Sequence, residues 1–234
     1  MYRLLISVVM LLVFTTSMAA VRKPIGDVNI DAFTKDTQTS PKGAGDRHVS
    51  LIWWVPNEFW ESILARDTTT SGPDKQAMIN AMSGVSLMAV VQADISTLGG
   101  FDFYTKGDVE KNMKISFSGT GGNTVTLKPI NDISPDLNVV LAIFKPILAA
   151  AMGNMGANLH FYVLNDKGER NTRVLDPYKK GTLNVQLAKK DKQRMTASLQ
   201  LPLNSLFVPR KCPNGEDAHI SWNYCPWSGK QLDN

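Results

Sequence analysis

Little in this chain announces chemistry. Its 234 residues include three histidines and two cysteines. There is no Gly-x-Ser-x-Gly elbow and no His-Glu-x-x-His helix, so it carries no signature of the α/β-hydrolases or of the zincin metalloproteases. Gly119-Thr120-Gly121-Gly122 lacks the Gly-Lys-Ser/Thr ending of a phosphate-binding loop and reads as a hairpin turn. No cofactor motif is present, and no cofactor is expected. Charge of one sign is not concentrated either. The formal net charge is +4, and basic runs are short pairs such as Lys179-Lys180 and Lys189-Lys190. A nucleic-acid footprint needs a basic stripe or patch, so no nucleic-acid partner is expected. Asn-x-Ser/Thr sites and internal repeats are also missing.

Long hydrophobic runs are equally scarce. The run at the start, Leu4 to Phe14, follows the basic Arg3 and is broken by Ser7; it gives way to the small residues Ser17-Met18-Ala19. A membrane span needs about 20 apolar residues. The run is shorter than that and has the flanks of a secretory signal, so residues 1–19 are expected to be removed by cleavage after Ala19. The remaining chain of about 215 residues is large enough for one sizeable core. It is expected to be periplasmic or secreted, with no integral membrane span.

Both cysteines fall in KCPNGEDAHISWNYCPWSG, residues 211–229. An oxidising compartment and an even count favour a disulfide between Cys212 and Cys225. The bond would close a 14-residue loop, and chain entropy assigns such a closure about 3 kcal/mol. A metal site through Cys212, His219 and Cys225, and a reactive dithiol, are the alternatives. The stretch resembles a zinc ribbon with half its ligands missing. One knuckle reads Cys212-Pro213-Asn214-Gly215, and the other Tyr224-Cys225-Pro226-Trp227-Ser228-Gly229 followed by Leu232. The resemblance implies two knuckles in which a covalent bond replaces the metal, because a structural zinc needs four ligands.

The body of the chain reads as α+β: a mainly antiparallel sheet packed against two or three helices, with a C-terminal disulfide-closed loop. Residues 20–46 are polar and aperiodic, and read as a flexible leader docking a short strand around Val28 to Phe33. The α+β domain then covers residues 47–209, and a ribbon-like appendage residues 210–234. His48 to Val55 is rich in β-branched and aromatic residues and predicts a strand. Asn57 is placed to cap a helix from Glu58, and a second helix is expected from Asp74 to Ser83. Val85 to Ile95 predicts a strand buried on both faces. Residues 112–127 predict a hairpin. Ser134-Pro135-Asp136 opens a helix to about Met152, which is apolar nearly all round and is expected to be the central core element. Alternating apolar and polar residues in 159–163, 182–187 and 194–201 predict strands with one wet face.

Candidate site residues come from two places. Trp222, Tyr224 and Trp227 share the short cysteine loop and would form a rigid binding patch, since ordered aromatics bind at low entropic cost. For enzyme chemistry the candidates are Asp94 at the end of an apolar strand, His160, and Glu58 beside Trp54 and Trp60. The leading expectation is a non-enzymatic binding or structural protein of the cell envelope, whose partner is an envelope protein or a cell-surface component. The alternative is a secreted hydrolase with a noncontiguous site drawn from Asp94, His160 and Glu58.

Overall fold

The computed structural model of the chain describes residues 20–43, 45–169 and 172–232; the expected signal sequence, residues 1–19, lies outside them. The fold is α+β with antiparallel strands. Two strands form its centre. β2 (His48–Val55) and β3 (Val85–Ile95) pair antiparallel with Trp54 opposite Met88. The apolar run of β3 is buried along nearly its whole length, as expected for a strand covered on both faces.

Where the sequence predicts one sheet, the described residues of the body form two, and the C-terminal stretch adds a separate two-stranded pair. The six-stranded sheet runs β1 (Gln38–Thr39), β2, β3, β8 (His160–Asn165) and β7 (Pro129–Ile130), with β4 (Phe101–Phe103) on the outer part of β3. The four-stranded sheet runs β10 (Arg194–Leu201), β9 (Gly181–Ala188), β5 (Lys114–Gly119) and β6 (Thr124–Leu127). β10 alternates without exception, with Met195, Ala197, Leu199 and Leu201 buried and the residues between them exposed. This sheet therefore presents one wet face. The six-stranded sheet has none in its middle, because helices cover one side and the four-stranded sheet approaches the other. Gln92 marks the second contact, donating from Nε2 to the carbonyl of Ala188 at 2.9 Å. Consequently β8, expected to have a polar side, buries Tyr162 as well as Val163.

The helices differ from expectation in instructive ways. α2 (Asn57–Arg66) begins at Asn57 itself, after Pro56, and no side chain caps it. α3 (Gly72–Ala81) starts earlier than expected because Ser71 caps it, accepting from the Asp74 amide at 3.3 Å. Its Met78 and Ala81 are half-buried, and only the following Met82 is buried. α5 (Pro135–Ala151) is capped by Ser134, which accepts from the Leu137 amide at 3.2 Å. The expectation of a fully enclosed core helix fails. One face of α5 is buried through Leu137, Val140, Leu141, Phe144 and Leu148, while Val139, Ile143 and Ile147 face outward and are exposed. α4 (Lys106–Asn112) was not expected, although Thr105 and Asp108 form a reciprocal capping box at its start.

The polar stretch after residue 20 also departs from its reading. A strand around Val28 to Phe33 does not form. Asn29 instead caps a helix, α1 (Ile30–Thr37), by accepting from the Ala32 amide at 2.8 Å. Val28 and Phe33 are fully buried. This segment is tied to the far end of the chain. The Lys23 amide donates to Leu206 at 2.9 Å, the Val208 amide to Val21 at 2.8 Å, and the Ser205 amide to the Asp36 carboxylate at 2.7 Å. Thr39 reaches the Ser198 carbonyl at the β10 edge. Among the described residues no helix is long and apolar enough to cross a membrane.

Candidate functional site

The C-terminal stretch folds as a small unit with its own core. β11 (Arg210–Lys211) pairs with β12 (Asp217–Ala218), and the turn between them is closed by the Gly215 amide donating to Cys212 at 2.8 Å. A second tight turn is closed by the Gly229 amide donating to Cys225, also at 2.8 Å. Both glycines hold positive φ, +85° and +66°, a conformation that costs a side-chain-bearing residue energy. Cys212 and Cys225 are disulfide-bonded, with Cα atoms 5.7 Å apart. Together with Ala218 and Leu232 they form a buried cluster against which Trp222 packs.

Arg210 fastens this unit from below. One guanidinium nitrogen donates to the carbonyls of His219 at 2.9 Å, Ile220 at 3.0 Å and Trp222 at 2.5 Å. Ile220 joins the main core, and its amide donates to Asn204 at 2.8 Å. On this fixed base Tyr224 and Trp227 remain 60% and 57% exposed. Trp222 is half-buried, and its ring meets Trp227 edge-on at 5.9 Å. Of the three residues expected to bind, Trp222 and Trp227 are in contact, and Tyr224 and Trp227 are turned to solvent.

His219 lies beneath this patch, its ring 6.0 Å from Trp222. Its Nδ1 accepts from the Ser221 amide at 3.2 Å and contacts the Ser221 hydroxyl at 2.7 Å. Burial holds the imidazole below its ordinary value of 6.5; the Asp36 carboxylate opposes this, and Arg210 reinforces it. A depressed folded-state value gives stabilisation that is complete above pH 6.5 and is lost as pH falls toward the depressed value. We expect backbone amide protection in residues 212–232 to fall with His219 protonation, followed by hydrogen exchange and imidazole NMR. A His219→Asn variant keeps an acceptor toward Ser221 and should lose that pH dependence. Protection that stays constant while His219 titrates would refute the coupling.

The enzyme candidates fall in two separate places. Asp94 accepts from His48 Nδ1 at 2.6 Å and from the Tyr104 hydroxyl at 3.0 Å. Burial opposes its ionisation, but these hydrogen bonds and the charges of His48 and Lys190 outweigh it and hold the carboxyl below the ordinary range. Burial pushes the Tyr104 phenol up to about 12. His160 donates from Nε2 to the Tyr104 carbonyl at 2.7 Å. Asp94 and His160 therefore share Tyr104 as a neighbour without touching each other. His48 Nε2 is buried with no partner among the described residues. Glu58 lies apart, paired with Arg173. Sequence reasoning singled out Asp94 but not its partners His48 and Tyr104; the signal for His48 was its place in the strand opposite Asp94, which only the register discloses.

The large open pockets lie elsewhere. One of about 770 Å³ runs over the wet face of the four-stranded sheet, lined by Lys114, Ser116, Thr126, Asn184, Gln186 and Thr196 among others. Asp94, His160 and Glu58 do not line it. No family model, curated protein or solved structure matches the chain.

Proposed function

We propose that this chain is a non-enzymatic binding protein of an oxidising compartment, periplasmic or secreted, that engages an envelope protein or cell-surface component through Trp222, Tyr224 and Trp227. The observation that carries this reading is the exposure of Tyr224 and Trp227 on a loop immobilised by the Cys212–Cys225 bond and by Arg210. Large exposed aromatics on a fixed base bind without a heavy ordering cost. They recur at the centres of interfaces, where truncation costs most. The two glycine-closed turns keep the outline of a ribbon's two knuckles, with a covalent bond in the place of a metal. The N-terminal apolar run and the bond itself support an oxidising location.

The test is cosedimentation of the protein with isolated cell-wall sacculi and with membrane vesicles from envelope preparations. Tyr224→Ala/Trp227→Ala should weaken retention by at least about tenfold, as expected of an aromatic anchor pair, with unchanged circular dichroism. Equal retention of wild type and double variant, or none by either, would sink the proposal. The alternative, a hydrolase drawing on Asp94, His160 and Glu58, lacks a common cleft: Asp94 and His160 meet only through Tyr104, and Glu58 is paired with Arg173 elsewhere.

A further inference from the structure

We propose that the trough of about 770 Å³ on the wet face of the four-stranded sheet binds an acidic polysaccharide of the uronate class, at a site separate from the aromatic loop. The chain has 21 acidic residues, and none stands on β5, β6, β9 or β10. The register sets the outward side chains in rows. Thr196, Gln186 and Lys114 form one row, and Ser198, Asn184, Ser116 and Thr126 form the next. Continued one step past β6, the register sets Lys128 opposite Lys114, one strand spacing of about 4.8 Å away. Both lysines are exposed and line the trough. Like charges facing each other across two strands repel, and neither lysine forms an ion pair among the described residues. An anion lying between them relieves that repulsion. Glu110 is the carboxylate in the lining, and Arg194, exposed on β10, adds a third cation to the face.

Hydrogen bonding sets the trough apart from the rest of the face. Outside it the side chains satisfy one another: Ser118 meets Thr124 at 2.9 Å, and Thr182 donates to Gln200 at 3.0 Å. Inside it Ser116, Thr126, Gln186 and Thr196 make no side-chain hydrogen bond among the described residues. Asn184 accepts from the Ser198 hydroxyl at 2.6 Å, which leaves its amide hydrogens to donate. Groups held on strands need little further ordering to bind. The residue types also discriminate among partners. A nucleic-acid strand is held by aromatic rings beneath its bases, a membrane by inserted apolar side chains, and a protein by aromatic or aliphatic anchors. The outward positions of these four strands carry no aromatic residue and no aliphatic one larger than Ala188. A mesh of hydroxyls and amides beside two facing ammoniums matches a chain of hydroxyl-bearing rings that each carry a carboxylate.

Titration of the purified protein with an oligogalacturonate, followed by amide NMR, tests this. Signals of residues 114–116, 126–128, 184–186 and 196 should shift and saturate below about 1 mM. Lys114→Gln/Lys128→Gln should weaken binding by at least about tenfold, the worth of hydrogen bonds to charged groups. Gln186→Ala, with both lysines kept, should weaken it by about fivefold, the worth of one neutral hydrogen bond. Both variants should keep the wild-type circular dichroism. A neutral maltooligosaccharide, inorganic phosphate and an oligothymidylate should each leave the same signals unmoved at the same concentration. The proposal is overturned if the oligogalacturonate shifts other residues or none, or if either variant binds as wild type does. Equal shifts from maltooligosaccharide, phosphate or oligothymidylate overturn it as well. Tyr224→Ala/Trp227→Ala should bind the oligogalacturonate unchanged; loss of binding there would move the sugar to the aromatic loop and overturn the assignment.

Discussion

Replacing Arg173 by alanine is expected to lower folding stability by about 3–5 kcal/mol at neutral pH, the loss typical of removing one partner from a buried ion pair. The guanidinium lies between two carboxylates. It donates to Glu58 at 2.5 Å and to Asp166 at 3.1 Å. Asp166 is fully buried and also accepts from the Leu175 amide at 2.6 Å and the Ser86 hydroxyl at 2.9 Å. Burial pushes both carboxyls above their ordinary values in spite of Arg173. The guanidinium is itself partly desolvated, yet its two carboxylate partners hold it in the charged form. Removing it leaves two anions with little solvent around them, and their carboxyls rise further.

The pH dependence follows from the sign. A carboxyl raised in the folded state favours folding when protonated, so its penalty grows as pH climbs past the ordinary value. The loss in Arg173→Ala should therefore be largest near pH 7 and smaller near pH 4.5, the ordinary glutamate value. Urea unfolding at the two pH values measures it. A loss below about 1 kcal/mol at both, the size of an exposed pair, would show that the triad is not what secures this corner.

Trp60→Ala should cost about 3–5 kcal/mol, the range for deleting a large aromatic from a closed core. Trp60 is 1% exposed. It stacks on Phe144 with ring centres 4.1 Å apart, and meets Phe59 edge-on at 5.6 Å. The stack on Phe144 joins α2 to α5, while the Phe59 contact steadies the indole within α2. Because the two rings share one contact, Trp60→Ala/Phe144→Ala should cost less than the sum of the single variants. Additive losses in urea midpoints would remove the stack as the tie between these helices.

Much of the architecture could be read locally. The alternation of 194–201 and the cap at Ser134 both mark real elements, since each depends on residues a few positions apart. What escaped depends on distance. The division into two sheets is decided by which strands meet, and β5 pairs with β9 across more than sixty positions of the chain. Glu58 reaches Arg173 across 115 positions, so neither residue announces the other. α1 was hidden because its polar composition resembles a linker, and its burial through Phe33 comes from partners far along the chain. α4 was legible in principle from the Thr105-x-x-Asp108 spacing. In the candidate binding loop the residue types were visible from the outset. Their exposure was not, because it follows from Arg210 and the disulfide fixing the loop from beneath.

The pairing of residues 21–23 with 206–208 has a consequence for biogenesis. Residues 21–23 find their backbone partners at 206–208, more than 180 positions further along. No nascent fragment ending before Val208 can close the fold. Phe33 meets Phe59 edge-on at 5.5 Å, so part of its cover comes from nearby residues, but Asp36 of the same helix gains the Ser205 amide as donor only when that later segment is present. Closure between segments this far apart carries a large loop entropy, so this seam is expected to form late in folding.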